Sequence, residues 1–516
     1  MSNVIIGMEA LKKLEIGIDI LSDAVKSTLG PKGKNVVVKT LDTPLITNDG
    51  VTIAKSITLE DPIANMGAKL IQQASIKTNE LAGDGTTTAC VLTQSILKEG
   101  IKNITAGANP LLINKGINIA LEYVLDELQK MSKPVSTQRD IQQIANISCQ
   151  DEQIGQLISE GYNQVGKTGV ITISESQNIH TTLEIVNGIK IDRGFISTYF
   201  CTDMNKEIAE CNNPYVIIFD EKIDNFNLLL PFIQHVLTNN SSLIIFADDY
   251  TEDVLSALLI NKLKAGLKCL PLKSPAYGEF RKQILSDLSI ICNTQVLNSN
   301  VINNFSPSML GTITKVISNK YDTTFIQNDT SELVNSRISQ LENLLEKTTL
   351  EIDKKQIQER ISILKGKVAI IKVGAISDIE LNERKLRVED ALFACKSAIT
   401  EGIVIGGGCS LIKIKNKVWK KIKKLDNDIK TGALILLKAL ESPIRQIAIN
   451  AGLDAGIIVA KINKSTNIDY GFDAYKNKFG NLKTMGIIDP TKVVRCAIQN
   501  AVSVATTVLT TNCVID

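Results

Sequence analysis

The middle of the chain has a residue pattern that differs from both ends, and this constrains the fold more than any other feature. Residues up to about 130 and those after about 380 show mostly helical periodicity. Between about 190 and 370, apolar strand-like runs such as 215–219 and 243–246 alternate with helical stretches. The sequence therefore predicts a multi-domain α and α/β protein, in which a domain with short parallel strands is inserted into a discontinuous helical one.

Short local signals predict where several elements begin and end. A β-branched run at 36–38 predicts a strand, and Asn48-Asp49-Gly50 has the composition of a hairpin-type turn. Asp61-Pro62 supplies the N-cap and first residue of a helix. Gly83-Asp84-Gly85 ends that helix, and another is expected to start at Thr86. These signals place three Gly- or Asp-bearing loops in the N-terminal helical part.

The remaining helices are marked by breaks in their periodicity. The first helix is expected to stop at Gly30-Pro31. The charged, Leu/Ile-periodic stretch 331–365 lacks Gly and Pro, so it predicts a helical hairpin or one extended helix. Gly406-Gly407-Gly408 separates two helices, and a last helix is expected over 491–509 after the turn at Asp489-Pro490.

Composition limits the classes of function. The chain has 516 residues, 44% hydrophobic and 22% charged, without an apolar run near the ~20 residues of a membrane span. Because the net charge is +2 and we identify no concentrated basic stripe with interleaved aromatics, neither a membrane nor nucleic acid is expected as a main partner. The ten Cys are scattered and the only His are His180 and His235, which argues against a zinc site, a disulfide framework and a Ser-His-Asp hydrolase.

Several loops have the composition of a phosphate site. Glycine in 29–34 permits close approach of backbone to phosphates, and Asp84-Gly85-Thr86-Thr87-Thr88 offers a helix N-terminus with hydroxyl donors and a Mg²⁺-binding carboxylate. Asp390 is a candidate for orienting a water molecule that attacks a γ-phosphate. Each feature also has a plain structural interpretation: a helix stop, an N-cap, or for Asp390 a solvated helix face or an i,i+3 pair with Arg387. No P-loop or kinase glycine-rich loop is present.

Taken in order, these loops resemble those of group I chaperonins of the GroEL type, and the resemblance covers essentially the whole chain. The matching segments are Thr28-Leu29-Gly30-Pro31-Lys32-Gly33, Asn48-Asp49-Gly50-Val51, Ala82-Gly83-Asp84-Gly85-Thr86-Thr87-Thr88, Arg387-Val388-Glu389-Asp390-Ala391, Gly406-Gly407-Gly408 and Gly486-Ile487-Ile488-Asp489-Pro490-Thr491-Lys492-Val493. The resemblance implies an ATP-dependent chaperone, and hence an ATPase, that uses Mg²⁺. It also makes K⁺ a second candidate cofactor.

The resemblance also implies three domains. A discontinuous, helical equatorial domain (1–130 and 401–516) would bind nucleotide and form most ring contacts. A small α/β intermediate domain (131–186 and 369–400) would act as a hinge and carry Asp390. An inserted α/β apical domain (187–368) would bind unfolded polypeptides and a ten-kilodalton co-chaperonin. The expected assembly is two stacked seven-membered rings.

Site residues follow from the resemblance, position by position. Asp390 is expected to position the attacking water, assisted by Asp49, and Asp84 to ligate Mg²⁺. The residues expected at ATP are Thr28, Leu29, Gly30, Pro31, Asp84, Gly85, Thr86, Thr87, Thr88, Gly407, Asp473, Ala474 and Asp489. An apolar strip for substrate polypeptide is expected at Phe195, Tyr199, Phe200, Leu230, Ile233, Leu255, Leu259 and Ile260. Periodicity alone would assign the same apolar positions to core packing.

Some positions depart from the family's pattern. Asn48 stands where some members have Lys, and Asp473-Ala474-Tyr475 replaces a commoner Asn-Ala-Ala. The chain ends at Asp516 without a Gly-Gly-Met-rich tail, from which we expect a roomier, less adhesive cavity floor. The opening residues lack signal- or transit-peptide features, and the Ile, Asn and Lys bias indicates an A+T-rich genome. Together with the Asn48-Asp49-Gly50 segment, these features resemble plastid-encoded members of the family. The resemblance implies a protein of the plastid stroma, with a bacterial cytoplasm as the alternative.

Two other functions remain open at this stage. The chain could be a binding or scaffold subunit of a mixed ring that no longer hydrolyses ATP, although Asp49, Asp84 and Asp390 are retained. It could also be an unrelated small-molecule kinase, which would form a monomer or dimer and transfer phosphate to an acceptor. Phosphate release and the presence of a ring distinguish these from an active foldase.

Overall fold

The computed structural model describes most of the chain and gives the following elements. The residues that it describes are 4–39, 44–166, 169–176, 178–204, 207–298, 306–327, 332–348 and 350–515. The helices, in chain order, are α1 (Met8–Lys26), α2 (Gly50–Ser56), α3 (Pro62–Ala82), α4 (Thr86–Thr105), α5 (Pro110–Met131), α6 (Gln138–Cys149), α7 (Glu152–Val165), α8 (Leu230–Thr238), α9 (Glu252–Ala265), α10 (Gly278–Ile291), α11 (Glu332–Lys347), α12 (Glu351–Leu364), α13 (Asp378–Glu401), α14 (Cys409–Ile422), α15 (Asn427–Ala439), α16 (Ser442–Asn450), α17 (Ala455–Lys464), α18 (Leu482–Met485) and α19 (Thr491–Leu509).

The strands are short and concentrated in the middle of the chain. In order they are β1 (Val4–Ile6), β2 (Val36–Val38), β3 (Leu45–Thr47), β4 (Val170–Glu175), β5 (Thr182–Ile191), β6 (Ala209–Asn212), β7 (Tyr215–Phe219), β8 (Ser242–Ala247), β9 (Lys268–Lys273), β10 (Val296–Leu297), β11 (Gly311–Thr312), β12 (Lys315–Ser318), β13 (Thr323–Gln327), β14 (Lys367–Val373), β15 (Ile403–Ile405), β16 (Tyr470–Asp473), β17 (Lys478–Asn481), β18 (Ile488–Pro490) and β19 (Cys513–Ile515). Among the described residues, no helix combines the length and apolarity that a bilayer crossing requires.

The local sequence signals are confirmed for several elements. Asp61 caps α3 by accepting a hydrogen bond from Ala64 N–H at 2.7 Å, and α4 begins at Thr86. The last helix covers 491–509 as predicted, and the described residues of 331–365 form a hairpin of α11 and α12 rather than one helix. The expected turn at Asn48-Asp49-Gly50 is wrong, because Asp49 is the N-cap of α2 and its carboxylate accepts the first N–H groups of that helix. The first helix also ends earlier than expected, at Lys26.

The chain divides into two compact units, one inserted into the other along the sequence. The first consists of Met1–Glu160, Ile173–Thr182 and Lys372–Asp516, and the second of Gly161–Thr172 and Leu183–Ile371. The fold class is therefore as predicted, a helical unit built from both ends of the chain and an α/β unit between them. The finer division into three domains at 130, 186, 368 and 400 stays a prediction.

The helical unit is held together by helices from both ends of the sequence. Its core contains the apolar faces of α1, α3, α4, α5, α15 and α19, with α19 packed on α3, α4 and α5. Helices α1 and α3 approach very closely, since a Cβ on Gly17 would lie 1.7 Å from the carbonyl oxygen of Ala64. The chain ends also meet, because β1 pairs antiparallel with β19.

A buried carboxylate ties α14 to α16 in the same unit. Glu441 is 7% exposed and accepts hydrogen bonds from Lys415 and Arg445. Burial by itself raises the pKa of Glu441, but the hydrogen bonds and charges of these two partners outweigh it, so the net pKa is lowered. The charged form of Glu441 therefore stabilises the fold.

The α/β unit contains the predicted parallel strands. Strands β7, β8 and β9 are adjacent and parallel, and β10 also pairs parallel with β7. Every residue of β8 is buried, as expected for a strand covered on both faces. The expectation of parallel strands is incomplete, because β5, β13, β12 and β6 are joined by antiparallel pairings. In β6 and β12, buried and accessible residues alternate, unlike the continuous apolar runs that signalled the parallel strands.

Candidate nucleotide site

The N-terminus of α4 is the centre of the candidate site. Gly83 ends α3 at φ +71° and Gly85 precedes α4 at φ +83°, so Asp84 lies between two left-handed residues. The N-cap residue Gly85 has no side chain to bind the first N–H groups of α4, which belong to Thr86, Thr87 and Thr88. The carboxylate of Asp84 accepts the N–H of Gly85. Free helix N–H groups beside threonine hydroxyls favour an anion at this position.

The N-terminus of α2 lies directly against that of α4. A Cβ added to Gly50 would be 2.5 Å from Thr87 Oγ1 and 2.7 Å from Thr86 Oγ1, so only glycine permits this approach. Asp49 accepts hydrogen bonds from the N–H groups of Val51 at 3.1 Å and Thr52 at 3.0 Å. These bonds fix the Asp49 carboxylate at the junction of the two helices.

The loop after α1 reaches the same helix N-terminus. The hydroxyls of Thr28 and Thr87 are 3.4 Å apart, and hydrogen bonds from Gly33 N–H to Gly30 O and from Lys34 N–H to Ser27 O close the loop. The amide of Asn450, on α16, donates to the carbonyl oxygens of Lys26 and Leu29, both at 2.9 Å. Sequence reasoning missed Asn450, because no local pattern signals an anchor 421 residues away.

Helix α13 brings Asp390 to this group. A Cβ on Gly83 would lie 2.3 Å from the Phe393 side chain, and Ser397 donates to the carbonyl oxygen of Ala82 at 3.0 Å. These contacts dock α13 at the end of α3, one residue before Asp84. Sequence reasoning also missed Phe393 and Ser397. These two residues are one helical turn apart from each other, on the same helix as Asp390. The alternative pairing of Asp390 with Arg387 is not adopted, since Arg387 pairs with Glu383.

The C-terminal part of the chain contributes Gly407 and Asp489. Strands β15 and β18 pair antiparallel with Val404 opposite Asp489. The Asp489 carboxylate accepts hydrogen bonds from the N–H groups of Gly407 and Gly408. Gly407 has φ +62° and open space around its Cβ position. The triple glycine is therefore a tight turn shaped around the Asp489 side chain.

Negative charge is concentrated where these loops meet. Burial raises the pKa of Asp84, and the charge of Asp49 raises it further. Burial raises the pKa of Asp489 to about 7, with a contribution from Asp84. The pKa of Asp390 is also raised, by burial and then by the charges of Asp84, Asp49 and Glu389. The position of Asp489 follows from a Cβ on Gly85, which would lie 2.7 Å from the side chain of Val493, four residues after Asp489. Asp49, Asp84, Asp390 and Asp489 therefore share one neighbourhood, in which like charges repel.

This arrangement fits a divalent cation only together with other oxygen ligands. Within the described ranges, no three His, Cys, Asp or Glu side chains are grouped closely enough to bind a metal by themselves. Mg²⁺ is commonly held by one or two carboxylates together with phosphate oxygens and water. Asp84, beside the anion-binding N-terminus of α4, fits that ligand set, and a cation there would relieve the repulsion among the carboxylates.

Asp473 and Ala474 lie at the end of β16. Asp473 is buried and its Oδ1 accepts the N–H groups of Tyr475 at 2.9 Å and Lys476 at 3.0 Å. Ala474 is buried in the same core cluster as Leu29, whereas Tyr475 is exposed. Asp473 thus shapes its own turn, and its contact with a nucleotide base stays a prediction.

The apolar strip expected in the α/β unit is divided between core and surface. Phe195, Phe200 and Ile233 are core residues with 6%, 3% and 3% exposure, and Leu255 and Leu259 are partly buried. Tyr199 is 62% exposed, and Leu230 and Ile260 also lie at the surface. Lys262, on α9, donates to the carbonyl oxygen of Tyr199 at 2.8 Å and links that turn to the helix. Leu263 is strongly exposed on α9 as well and was not foreseen.

Comparison with known proteins identifies the fold. A solved structure, the chaperonin gp146 from bacteriophage EL 2 (Pseudomonas aeruginosa) crystallised with ATP-BeFx, superposes with a TM-score of 0.69 at 22% sequence identity. The match covers 99% of this chain and 98% of that one, so the molecule has a chaperonin fold. A family model described as the TCP-1/cpn60 chaperonin family matches residues 21–516. The chain belongs to the TCP-1/cpn60 chaperonin family.

Proposed function

We propose that the chain is a subunit of an ATP-driven, ring-forming chaperone of the group I type. One observation carries this proposal: loops that are hundreds of residues apart in sequence meet at the N-terminus of α4 and surround it with carboxylates. Family membership supports a chaperone function, and the chaperonin with the similar fold was crystallised with an ATP analogue. The order and identity of the six sequence segments support group I.

The residues at the site have distinct roles in ATP hydrolysis. The N–H groups and hydroxyls of Thr86 to Thr88 would bind phosphate oxygens, and Asp84 would hold Mg²⁺. The loop 28–31, Gly407, Asp489, Asp473 and Ala474 would contact the rest of the nucleotide. Bound Mg²⁺ would neutralise phosphate charge, and K⁺ is proposed as an additional ion. Asp390 would accept a hydrogen bond from the attacking water and hold it in line, assisted by Asp49.

Polypeptide binding is proposed for the surface of the α/β unit. Tyr199, Leu230 and Ile260 expose apolar area, and each large apolar side chain gains ~1.5–3 kcal/mol on burial. Several such weak contacts on neighbouring subunits would capture chains that expose their own core, without sequence specificity. Phe195, Phe200, Ile233, Leu255 and Leu259 would support this surface from beneath, or join it after a rearrangement driven by ATP.

The assembly proposed is two stacked seven-membered rings that act with a ten-kilodalton co-chaperonin. We propose the plastid stroma as the compartment, with a bacterial cytoplasm as the alternative. The basis is the Asn48-Asp49-Gly50 segment and the bias toward Ile, Asn and Lys, which indicates an A+T-rich genome. Electron microscopy of the purified protein tests the ring directly. A monomer or dimer at micromolar concentration, with and without ATP, would contradict it.

Hydrolysis is tested by Asp390→Ala, with Glu389→Ala as a control that removes the adjacent carboxylate. We expect Asp390→Ala to bind ATP normally in calorimetry and to release phosphate about 10²-fold more slowly, because general base and positioning contributions have this size. Glu389→Ala should stay within a few-fold of the unmodified chain. Equal rates for all three proteins would exclude the role of Asp390, and no phosphate release from the unmodified ring would favour a binding subunit.

A further inference from the structure

The surface of α14 concentrates positive charge that the rest of the chain lacks. Between 409 and 430 there are eight lysines and two aspartates, a net charge of +6, whereas the whole chain carries +2. The remaining residues are therefore net negative by four. This segment departs from the expectation of no concentrated basic stripe with interleaved aromatics, because its single aromatic residue, Trp419, lies among the lysines.

Five of these lysines form two rows on the surface, and only one row is neutralised. Of the other three, Lys413 is buried, Lys415 pairs with Glu441, and Lys430 lies on α15. Lys417 and Lys421 lie one turn apart and face α5, where Lys421 Nζ is 2.9 Å from Glu127 and 3.1 Å from Asp126. Lys417 Nζ is 3.5 Å from Glu127. These pairs account for the first row as ordinary helix–helix ion pairs.

The second row has no such partners among the described residues. Trp419 and Lys420 are exposed in the last turn of α14, and Lys423 and Lys424 follow each of them by four residues, just past the end of the helix at Ile422. None of these three lysines is within ion-pair distance of a carboxylate in the described part of the chain, although Asp426 is exposed nearby at the start of α15. A lysine in the last turn of a helix interacts favourably with the helix dipole. This interaction accounts for the presence of Lys420, but not for the lysines beyond the end of α14.

We propose that Trp419, Lys420, Lys423 and Lys424 form a binding surface for single-stranded nucleic acid. Lysines would contact successive phosphates, and the indole, 39% exposed, would stack on a base. An anionic bilayer would attract the lysines, but α14 has no free apolar face to insert into it. Its large aliphatic residues are all buried in the unit: Leu411, Ile412, Ile414, Val418 and Ile422. The observations therefore favour a nucleic acid over a membrane.

Trp419 is the only tryptophan of the chain, so its fluorescence reports on this surface alone. The full-length protein without nucleotide is titrated with a dT25 oligonucleotide at increasing NaCl, and binding is read by Trp quenching and by anisotropy of the labelled oligonucleotide. We expect saturable quenching, and a log–log salt slope near −2 if three phosphates are contacted, from ~0.7 per phosphate for single strands. Replacing Lys420, Lys423 and Lys424 by Gln should abolish most of the slope and weaken binding at least about tenfold.

Two controls separate the alternatives. A variant with Lys282, Lys320 and Lys396 changed to Gln loses the same charge elsewhere, and it should bind like the unmodified chain. Trp419→Leu should weaken binding about fivefold or more while keeping the salt slope, since stacking is not ionic. Equal loss in both triple variants would overturn the proposal. So would quenching by phosphatidylglycerol vesicles without quenching by the oligonucleotide, which would assign the surface to a membrane.

Discussion

Gly50→Ala tests whether the close approach of α2 and α4 is required for hydrolysis. The new methyl group would lie 2.5 Å and 2.7 Å from the hydroxyl oxygens of Thr87 and Thr86, and 3.1 Å from Thr87 N. Because ordinary contact begins at about 3.4 Å, the two helix ends must separate by about 0.7–0.9 Å. Threonine is stiff at χ1, and both hydroxyls face the methyl group, so rotation of one side chain does not relieve the clash.

The expected cost follows from that displacement. Overpacking of this kind destabilises by about 1–3 kcal/mol. An error of about 1 Å in the placement of Asp49 and of the threonines proposed to bind phosphate should slow hydrolysis by about 10²-fold. Urea unfolding gives the first quantity, and steady-state phosphate release gives the second.

Gly456→Ala is the matched control. Gly456 lies in the first turn of α17 with only Asp454 Oδ1, at 3.1 Å, near its Cβ position. The same substitution there should leave hydrolysis unchanged and change stability by less than about 1 kcal/mol. If Gly50→Ala hydrolyses ATP and unfolds like Gly456→Ala, the approach of α2 to α4 does not build the site.

Three further predictions concern other regions. Native protein should react with a thiol reagent at one cysteine, Cys513, because the other nine are buried, and Cys513→Ser should abolish the fast phase. Tyr199→Ser should weaken capture of an unfolded polypeptide with little change in stability, whereas Phe200→Ser should cost about 3–5 kcal/mol in denaturant unfolding; similar stability losses would contradict their different burial. Since the pKa of Glu441 is lowered in the folded state, its contribution to stability should be present above the ordinary glutamate pKa and be lost as the pH falls through the lowered value. Glu441→Gln should flatten that part of the stability–pH curve, and an unchanged curve would refute the assignment.

Elements with local start signals could be predicted from the sequence, and long-range placement could not. Asp61-Pro62 and Thr86 mark helix starts because capping depends on neighbouring residues only. The pattern around Asp49 predicts a hairpin turn, because hairpin turns and N-caps select the same residue types. The resemblance to chaperonins supplied the site residues, but not Asn450, whose role depends on tertiary contact with Leu29.

Exposure was the other quantity that the sequence left undetermined. Tyr199 and Phe200 are adjacent aromatics, and only the short helical turn at 198–200 decides that one is exposed and the other buried. The sequence also does not determine which lysines form ion pairs. Lys420 and Lys421 are neighbours on different sides of α14, and only Lys421 pairs with a carboxylate of α5.

The packing of α19 on α3, α4 and α5 has a consequence for biosynthesis. A ribosome releases α3, α4 and α5 long before α19, so the apolar surface that α19 covers on them stays exposed while about 360 further residues are made. The α/β unit can fold during that interval, because its residues form a core of their own. A nascent chain of this kind is itself an aggregation risk until termination, and it is therefore a natural client for chaperones.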